Sequence, residues 1–183
     1  DHFAASYGSL NVYTFNADET VTVEPVYYDP DVLKSLNARL LLFYMGEQRD
    51  ASTVLQAQVA ATTEKMGVLT ALQDMVDPMV QILSGKGDLA EVGPMLHESW
   101  LLKRSITKNI TNEAIDEAYH RAMEAGATGG KLLGAGGGGF LMFFVDPSMQ
   151  PDVITALNGM PVVRPKFDTA GSRITYYEPE RLE

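Results

Sequence analysis

The sequence predicts an α+β fold, in which short strands and amphipathic helices alternate along the chain. Two observations support this prediction. Apolar runs such as Arg39–Met45 and Phe140–Val145 have the length of buried strands. Between these two runs, apolar residues recur at the spacing of helices that bury one face. Elements of both kinds pack as layers around a common core.

The first part of the chain is expected to form a short helix and a hairpin. Asp1–Gly8 can form one or two helical turns that end at the glycine. Leu10–Phe15 and Val21–Val26 alternate apolar and polar residues, and Asn16-Ala17-Asp18 between them supplies turn residues. Tyr28-Asp29-Pro30 then interrupts the pattern.

Four helices are predicted in the middle of the chain, each with apolar residues at helical spacing. The first helix begins at Asp50. The other three are expected over Leu69–Leu83, Asp88–Lys103 and Thr111–Ala125. Pro78 predicts a kink or a restart in the second helix, and Gly93-Pro94 interrupts the third. The fourth has acidic residues in its first turn and Gly126 at its end, as helix capping favours.

The last third of the chain is rich in glycine and in strand-forming residues. The glycine loop, Gly134–Gly139, is expected to follow the fourth helix and to lead into the strand Phe140–Val145. A short helix is predicted near Pro151–Asn158. Pro161–Phe167 and Arg173–Tyr177 are predicted to form two more strands.

Composition narrows the possible partners. The chain has 183 residues, a formal net charge of −10 and no cysteine. The absence of cysteine excludes disulfides and thiolate metal sites, and a cytoplasmic location is the expected default. The acidic balance and the lack of basic patches argue against a nucleic-acid partner. No apolar stretch approaches the roughly 20 residues of a membrane helix, so no membrane partner is expected.

The glycine loop is the most informative segment of the sequence. Gly134, Gly136 and Gly139 match the dinucleotide-binding G-x-G-x-x-G pattern, but that fingerprint follows a strand and opens a helix, whereas a strand is expected after this loop. The Walker pattern also fails, because no Lys-Ser or Lys-Thr follows the glycines. Each glycine costs roughly 0.5–1 kcal/mol relative to alanine. Physical reasoning therefore leaves two explanations open, either close approach to a phosphate or ligand or a tight connection between packed elements.

The segment Gly129-Gly130-Lys131-Leu132-Leu133-Gly134-Ala135-Gly136-Gly137-Gly138-Gly139-Phe140 resembles the third conserved motif of the GHMP kinases, a superfamily that includes galactokinase and mevalonate kinase. In that family the loop lies beside the phosphate-binding loop. Asp1–Gly8 resembles the family segment in which a catalytic aspartate precedes a helix and a glycine. Three further segments are similar to the sugar 1-kinase branch, and they are Tyr44–Ser52, Leu96–Ser105 and Phe167–Arg173. Together these segments resemble the heptose phosphate kinases above all.

The resemblance implies a fold and a division into domains. Residues 1–27 would be a remnant of the family's N-terminal domain, and residues 28–183 would be its C-terminal domain. That domain is ferredoxin-like in the family, with helices on one side of an antiparallel sheet. The family's phosphate loop, which holds the triphosphate and magnesium, does not occur in this sequence. The isolated chain is therefore expected to be inactive.

The resemblance also implies an activity, which is transfer of the γ-phosphoryl of ATP to the anomeric hydroxyl of a sugar phosphate, with heptose 7-phosphate as the expected sugar. Asp1 would be the catalytic carboxylate that accepts or orients the hydroxyl proton. Gly134, Gly136, Gly137, Gly138 and Gly139 would support the phosphates. ATP and Mg²⁺ would be held mostly by the missing half, with no metal ligand in this chain.

Cations are needed to hold the phosphate of such a sugar. The candidates are Lys103, Arg104, Arg49 and Arg173. Lys103 and Arg104 could equally be partners of a helix C-terminus, and Asp1 could be a helix N-cap. His97 and Trp100 are expected to be structural, because no second His or Cys completes a metal site and a tryptophan is more often part of the core than a platform on which a sugar stacks.

Two alternatives to a heptose phosphate kinase remain. The substrate could be another sugar, such as fucose or an octose phosphate. The chain could also be a non-catalytic binding module that kept the fold. Cations that face a cleft would favour a phosphorylated substrate, and a buried Asp1 without a cleft beside the glycine loop would favour the binding module.

Overall fold

The structure, a computed structural model, describes residues 2–46, 65–107, 110–134 and 136–177. The chain forms two compact units. One consists of Asp1–Tyr27 together with Lys166–Glu183, and the other consists of Tyr28–Pro165. The helix predicted to begin at Asp50 lies outside the described residues.

The first unit contains the hairpin that the sequence predicts. Helix α1 (His2–Tyr7) precedes strands β1 (Asn11–Phe15) and β2 (Val21–Pro25), which pair antiparallel. In the turn, the Asp18 carboxylate accepts hydrogen bonds from both the backbone N–H and the hydroxyl of Thr20. This local bonding is the reason that Asp favours turns.

The strand predicted over Arg173–Tyr177 is wrong, because this segment is irregular. The chain just before it is held by backbone contacts to α1. The N–H of Ser172 donates to the carbonyl of Ser6 at 2.9 Å, and a side chain at Gly171 would overlap that turn of the helix. A strand needs a partner edge for its N–H and C=O groups, and an alternating sequence alone does not provide one.

The second unit is built on a four-stranded antiparallel sheet in the order β4-β5-β3-β6. Its strands are β3 (Leu40–Tyr44), β4 (Ala127–Leu132), β5 (Phe140–Val145) and β6 (Val162–Val163). Helices connect β3 to β4 and β5 to β6, so the chain follows the ferredoxin-like β-α-β-β-α-β path. The predicted α+β fold with an antiparallel sheet is confirmed.

Strand β4 corrects the expectation that a helix leads directly into the glycine loop. Its sequence contains two adjacent glycines, which are poor strand formers. Tertiary packing explains both. A Cβ at Gly129 would overlap the backbone of Gly93, and a Cβ at Gly130 would meet the ring of Phe143. The strand predicted over Pro161–Phe167 is also shorter than expected and is limited to β6.

The described helices of the second unit are α2 (Pro30–Arg39), α3 (Met66–Asp74), α4 (Val76–Leu83), α5 (Val92–Arg104), α6 (Glu113–Glu124) and α7 (Gln150–Ala156). Helix α2 was not predicted from the sequence, although its start carries two standard signals. Asp29 is the N-cap, with its carboxylate accepting from the N–H groups of Asp31 and Val32, and Pro30 occupies the first helical position.

Helix boundaries in the middle of the unit differ from the prediction in detail. The second predicted helix is divided at Met75, and Pro78 lies in the first turn of α4, where proline is tolerated. Asp88 caps a short 3₁₀ turn (Leu89–Glu91), and α5 begins only after it. Gly93-Pro94 therefore lies in the first turn of α5 and does not interrupt it.

The core lies on one face of the sheet. Alternate residues of β3 and β5, among them Phe43 and Phe143, are buried on this face together with side chains of α5, α6 and α7. Trp100 of α5 and Tyr119 of α6 are the largest contributions from the helices. The core thus fixes α5 against the sheet, next to β4 and the glycine loop that follows it.

Candidate functional site

The glycine loop is the connection of a β-hairpin. It joins β4 to β5, and the N–H of Leu133 donates to the carbonyl of Phe140 at 2.9 Å to close it. Four of its glycines have positive φ, which are Gly134 at 76°, Gly136 at 120°, Gly137 at 78° and Gly139 at 96°. These backbone conformations are accessible mainly to glycine, which explains the choice of glycine at these four positions.

Two anchors hold the glycine loop against the rest of the unit. The N–H of Gly137 donates to the carbonyl of Ile110 at 2.9 Å, and the N–H of Met45 donates to the carbonyl of Gly139 at 2.8 Å. A Cβ at Gly136 would lie 3.0 Å from the Ile110 backbone, whereas one at Gly134 would meet nothing within 4 Å. Packing therefore explains Gly136, and backbone conformation alone explains Gly134.

The chain context of the loop excludes a dinucleotide fingerprint. The loop follows a strand, but β5 comes after it where the fingerprint needs a helix N-terminus. The rejection of that pattern is confirmed, although the element before the loop was predicted wrongly.

Lys103 connects the end of α5 to the glycine loop. Its ammonium donates to the carbonyl of Gly134 at 2.5 Å. Burial lowers the pKa of Lys103 to about 8, and the nearby charge of Lys131 adds to this effect. Lys131, on β4, donates to the hydroxyl of Ser99 at 3.1 Å, and burial also lowers its pKa. Two cations therefore lie beside the loop in surroundings that disfavour charge.

Arg104 has protein partners of its own. Its Nη2 lies 2.8 Å from Oδ2 of Asp116, and the other oxygen of that carboxylate accepts from the hydroxyl of Thr111 at 2.7 Å. The guanidinium also stacks over the ring of Trp100, with Cζ 5.7 Å from the ring centre. This arrangement favours a structural role for Arg104, in which it connects α5 to α6.

His97 and Tyr119 form a hydrogen-bonded pair within the unit. Nδ1 of His97 lies 2.8 Å from the hydroxyl of Tyr119, which donates to the carbonyl of Gly130 at 3.2 Å. Because the single phenolic proton goes to Gly130, Nδ1 of His97 carries a proton and donates to Tyr119. Burial raises the pKa of Tyr119 to about 12, so this hydroxyl remains protonated. Trp100 is fully buried in the core.

The described structure does not test a role at the glycine loop for the other predicted site residues. Asp1 and Arg49 lie outside the described residues. Arg173 is exposed in the first unit. Within the described ranges, no three His, Asp or Glu side chains gather as metal ligands, and no helix is long and apolar enough to cross a membrane.

Lys131 is the residue of this site that was not identified from the sequence. Its position in Gly129-Gly130-Lys131 was visible as part of the glycine-rich motif. The missing information was that these residues form a strand beside α5, which places the Lys131 side chain against Ser99. Had the sequence predicted a strand at this position, it would also have indicated that Lys131 and the glycine loop both lie beside α5.

Known proteins similar to this chain are sugar kinases and related enzymes. Residues 71–160 match the family described as "GHMP kinases C terminal". The chain is 28% identical over 159 residues to D-glycero-alpha-D-manno-heptose 7-phosphate kinase of Campylobacter jejuni, covering 86% of this chain and 47% of that protein. It is 29% identical over 123 residues to a bifunctional fucokinase/GDP-fucose pyrophosphorylase of Arabidopsis thaliana, covering 64% of this chain and 11% of that protein.

A solved structure is similar over nearly the whole chain. It is a D-glycero-D-manno-heptose 1-phosphate kinase from Bacteroides thetaiotaomicron, with a TM-score of 0.60 and 25% identity. The match covers 96% of this chain and 49% of that one. The chain therefore spans about half the length of this protein and of the Campylobacter kinase.

Proposed function

Since this chain carries a GHMP kinase C-terminal domain, we propose that the complete protein is an ATP-dependent sugar kinase that acts on D-glycero-D-manno-heptose 7-phosphate. The reaction moves the γ-phosphoryl group of ATP to the anomeric oxygen of the sugar and releases ADP. The hydroxyl proton passes to a base, for which Asp1 is the candidate. The similarity to heptose phosphate kinases over most of the chain supports this substrate.

The observation that carries the proposal is the glycine loop with Lys103 bound to it. Phosphoryl transfer needs little covalent chemistry from the protein and depends on positioned groups that stabilise charge. The loop has positive φ at Gly134, Gly136, Gly137 and Gly139, is anchored at Gly137 and Gly139, and has a lysine ammonium on the carbonyl of Gly134. Such a cationic edge is suited to phosphate oxygens.

The predicted substrate cations contribute in different ways in this proposal. Lys103 faces the glycine loop and is the strongest candidate for a phosphate contact. Arg104 is bound to Asp116. It can still contact a phosphate from this position, because a guanidinium has five N–H donors. Arg49 and Arg173 remain candidates for the sugar phosphate.

ATP and Mg²⁺ are the proposed cofactors. Lysine ammonium groups fit the phosphates of ATP, whereas the described residues offer no carboxylate cluster for a metal ion. Mg²⁺, when bound, would neutralise charge on the transferred phosphoryl group. Its protein ligands would come mainly from the half of the kinase that this chain does not span. We place the enzyme in the cytoplasm, in the synthesis of surface polysaccharide.

Fucose is the second candidate substrate. The similarity to a bifunctional fucokinase favours it, because that alignment covers 64% of this chain. Fucose carries no phosphate. A fucose kinase would therefore not need protein cations that bind a phosphate group of the sugar.

The test is an ADP-release assay on the complete protein with ATP and magnesium. The acceptor panel contains heptose 7-phosphate, the same heptose without phosphate, fucose and an octose phosphate. We expect turnover with the phosphorylated heptose to exceed turnover with the free heptose by at least tenfold in kcat/KM, because one charge-assisted contact contributes on the order of 1.5–3 kcal/mol. A preference for fucose would replace the proposed substrate, and no turnover with any acceptor would favour a binding module.

A further inference from the structure

Two lysines connect α5 with β4 and the loop that follows it. Ser99 and Lys103 lie one turn apart on α5, so both face the same neighbour. The ammonium of Lys131 donates to the Ser99 hydroxyl at 3.1 Å, and the ammonium of Lys103 donates to the Gly134 carbonyl at 2.5 Å. The two bonds place both cations along one edge, between the helix and the glycine loop.

Neither cation is neutralised within the described part of the chain. Both known acceptors, the Ser99 hydroxyl and the Gly134 carbonyl, are uncharged. No carboxylate of the described residues forms an ion pair with either lysine. This holds for Glu98 on α5, for Asp74 and Glu91 on the preceding elements, and for the carboxylates of α6. The next cation on α5, Arg104, does have a carboxylate partner in Asp116.

Their surroundings make the charges of the two lysines costly, and a bound anion would offset this cost. Burial penalises a charged ammonium, and the second positive charge nearby increases the penalty at Lys103. An ammonium has three N–H donors, and each lysine uses one in the bonds described. The remaining donors can reach an anion with several oxygens, which would neutralise both charges at once.

We propose that Lys103 and Lys131 together form a phosphate-binding subsite at the edge of the glycine loop. The ligand chemistry is a phosphate group with at least two free oxygens. Its source is either the phosphate carried by the sugar or a phosphate of the nucleotide. The assignment of these two sources rests on the proposed kinase function, whereas the binding of a phosphate by the two lysines does not.

The experiment is calorimetric titration of the complete protein with three probes, which are inorganic pyrophosphate, ADP and heptose 7-phosphate. The variants are Lys103→Met and Lys131→Met, and the control is Lys86→Met, which removes an exposed lysine of the same unit. Methionine keeps the length and apolar part of the side chain, so the variants are expected to fold. Thermal melts check this.

We expect each site variant to weaken pyrophosphate binding by 10- to 100-fold, as the loss of one charge-assisted hydrogen bond predicts, and the control to be unchanged. A selective loss for heptose 7-phosphate would assign the subsite to the sugar, and a selective loss for ADP would assign it to the nucleotide. Unchanged binding of all three probes by folded variants would overturn the proposal. So would a loss accompanied by unfolding in both variants.

The pH dependence of anion affinity distinguishes a binding role of Lys103 from a purely structural role, which would not affect it. The protonated form of Lys103 binds the anion, so affinity should fall as the pH rises through about 8, the pKa of this lysine. The charged groups near Lys103 are Lys131 on β4 and Arg104 on α5, and Arg104 is paired with Asp116. Lys103→Met should remove this step from the profile, and Lys86→Met should retain it.

The outcomes separate this proposal from the proposed function. A complete protein that phosphorylates heptose 7-phosphate, but binds every probe equally well without Lys103 or Lys131, would lose only the subsite. A protein that binds pyrophosphate through both lysines, but phosphorylates none of the sugars, would keep the subsite and lose the proposed function.

Discussion

Arg104 and Asp116 form an ion pair between α5 and α6, with Nη2 and Oδ2 2.8 Å apart. The same guanidinium lies over the ring of Trp100, a residue that is fully buried in the core. One of the residues expected to select the substrate is therefore already engaged in holding two helices together. A substitution at Arg104 consequently affects the fold as well as any phosphate contact.

The first prediction separates these two effects with matched variants. Arg104→Ala and Asp116→Asn both remove the ion pair, and a double-mutant cycle should give a coupling of about 0.5–1 kcal/mol in urea denaturation, because the pair is partly exposed. If Arg104 also contacts the sugar phosphate, Arg104→Ala should lower kcat/KM for heptose 7-phosphate by 10- to 100-fold. Asp116→Asn should have a much smaller effect.

The comparison sugar for this prediction is the heptose without its phosphate, whose kcat/KM should be almost unaffected by Arg104→Ala. Equal losses on both sugars, or equal losses in the two variants, would mean that Arg104 is structural. The phosphate contact would then fall to the two lysines, to Arg49, to Arg173 or to the remainder of the protein.

The second prediction concerns the glycine loop. Gly134→Ala and Gly136→Ala both place a Cβ at positive φ. At 76° Gly134 is close to the left-handed α region, where this costs roughly 1–2 kcal/mol, whereas Gly136 at 120° lies outside that region and the cost is higher. Only Gly136 also meets the backbone of Ile110, at 3.0 Å. Gly136→Ala should therefore lower the free energy of unfolding more than Gly134→Ala. Equal losses in urea denaturation would show that the Ile110 contact adjusts without strain.

The third prediction uses Gly137, whose N–H is bound to Ile110. Gly137→Val should lower kcat by more than the loss of stability explains, because valine does not tolerate the φ of 78° and the loop must move. Kinetics and thermal melts on the complete protein check this. Full activity, or a simple failure to fold, would contradict an active-site role for the loop.

The fourth prediction follows from the pKa of Lys103, which burial lowers from 10.5 to about 8 in the folded protein. Between these two values the unfolded chain binds the proton and the folded chain does not. Stability should therefore rise with pH across this window, and the stabilisation is absent below the folded pKa. Urea denaturation from pH 7 to 9.5 should show the rise in the unsubstituted protein.

Lys103→Met provides the control for this pH effect. The variant lacks the titrating group, so its stability should rise less over the same window, and at pH 7 it should be more stable because no buried charge remains. Lys86→Met should behave like the unsubstituted protein. A pH dependence identical in Lys103→Met would mean that other groups cause it.

The fifth prediction concerns the 183-residue chain by itself. It spans about half the length of the similar kinases and contains no phosphate loop of the Pro- and Gly-rich kind. Phosphoryl transfer depends on a positioned triphosphate and metal. We expect no ADP release above background with ATP, magnesium and the sugar panel. Measurable turnover would show that the absent half is dispensable.

Local signals in the sequence were sufficient for much of the fold. The Asn16-Ala17-Asp18 turn, the apolar runs of β3 and β5, and the capped helix α6 each carry their own determinants within a few residues. Asn112, for example, accepts from the N–H of Ile115 and begins α6 close to the expected position. The glycine-rich motif also indicated the family, because its residues are contiguous in the chain.

The fold class and the family resemblance follow from the amino-acid sequence, because strand periodicity, capping and glycine content are local properties. Tertiary packing was needed to show that Ala127–Leu132 is a strand, since its glycines are explained by the approach of Gly93 and Phe143 from distant parts of the chain. The same packing provides Arg104 with a carboxylate partner and leaves Lys103 and Lys131 with uncharged acceptors beside the loop. The burial and partners of a charged side chain depend on residues far away in sequence, and no local pattern encodes them.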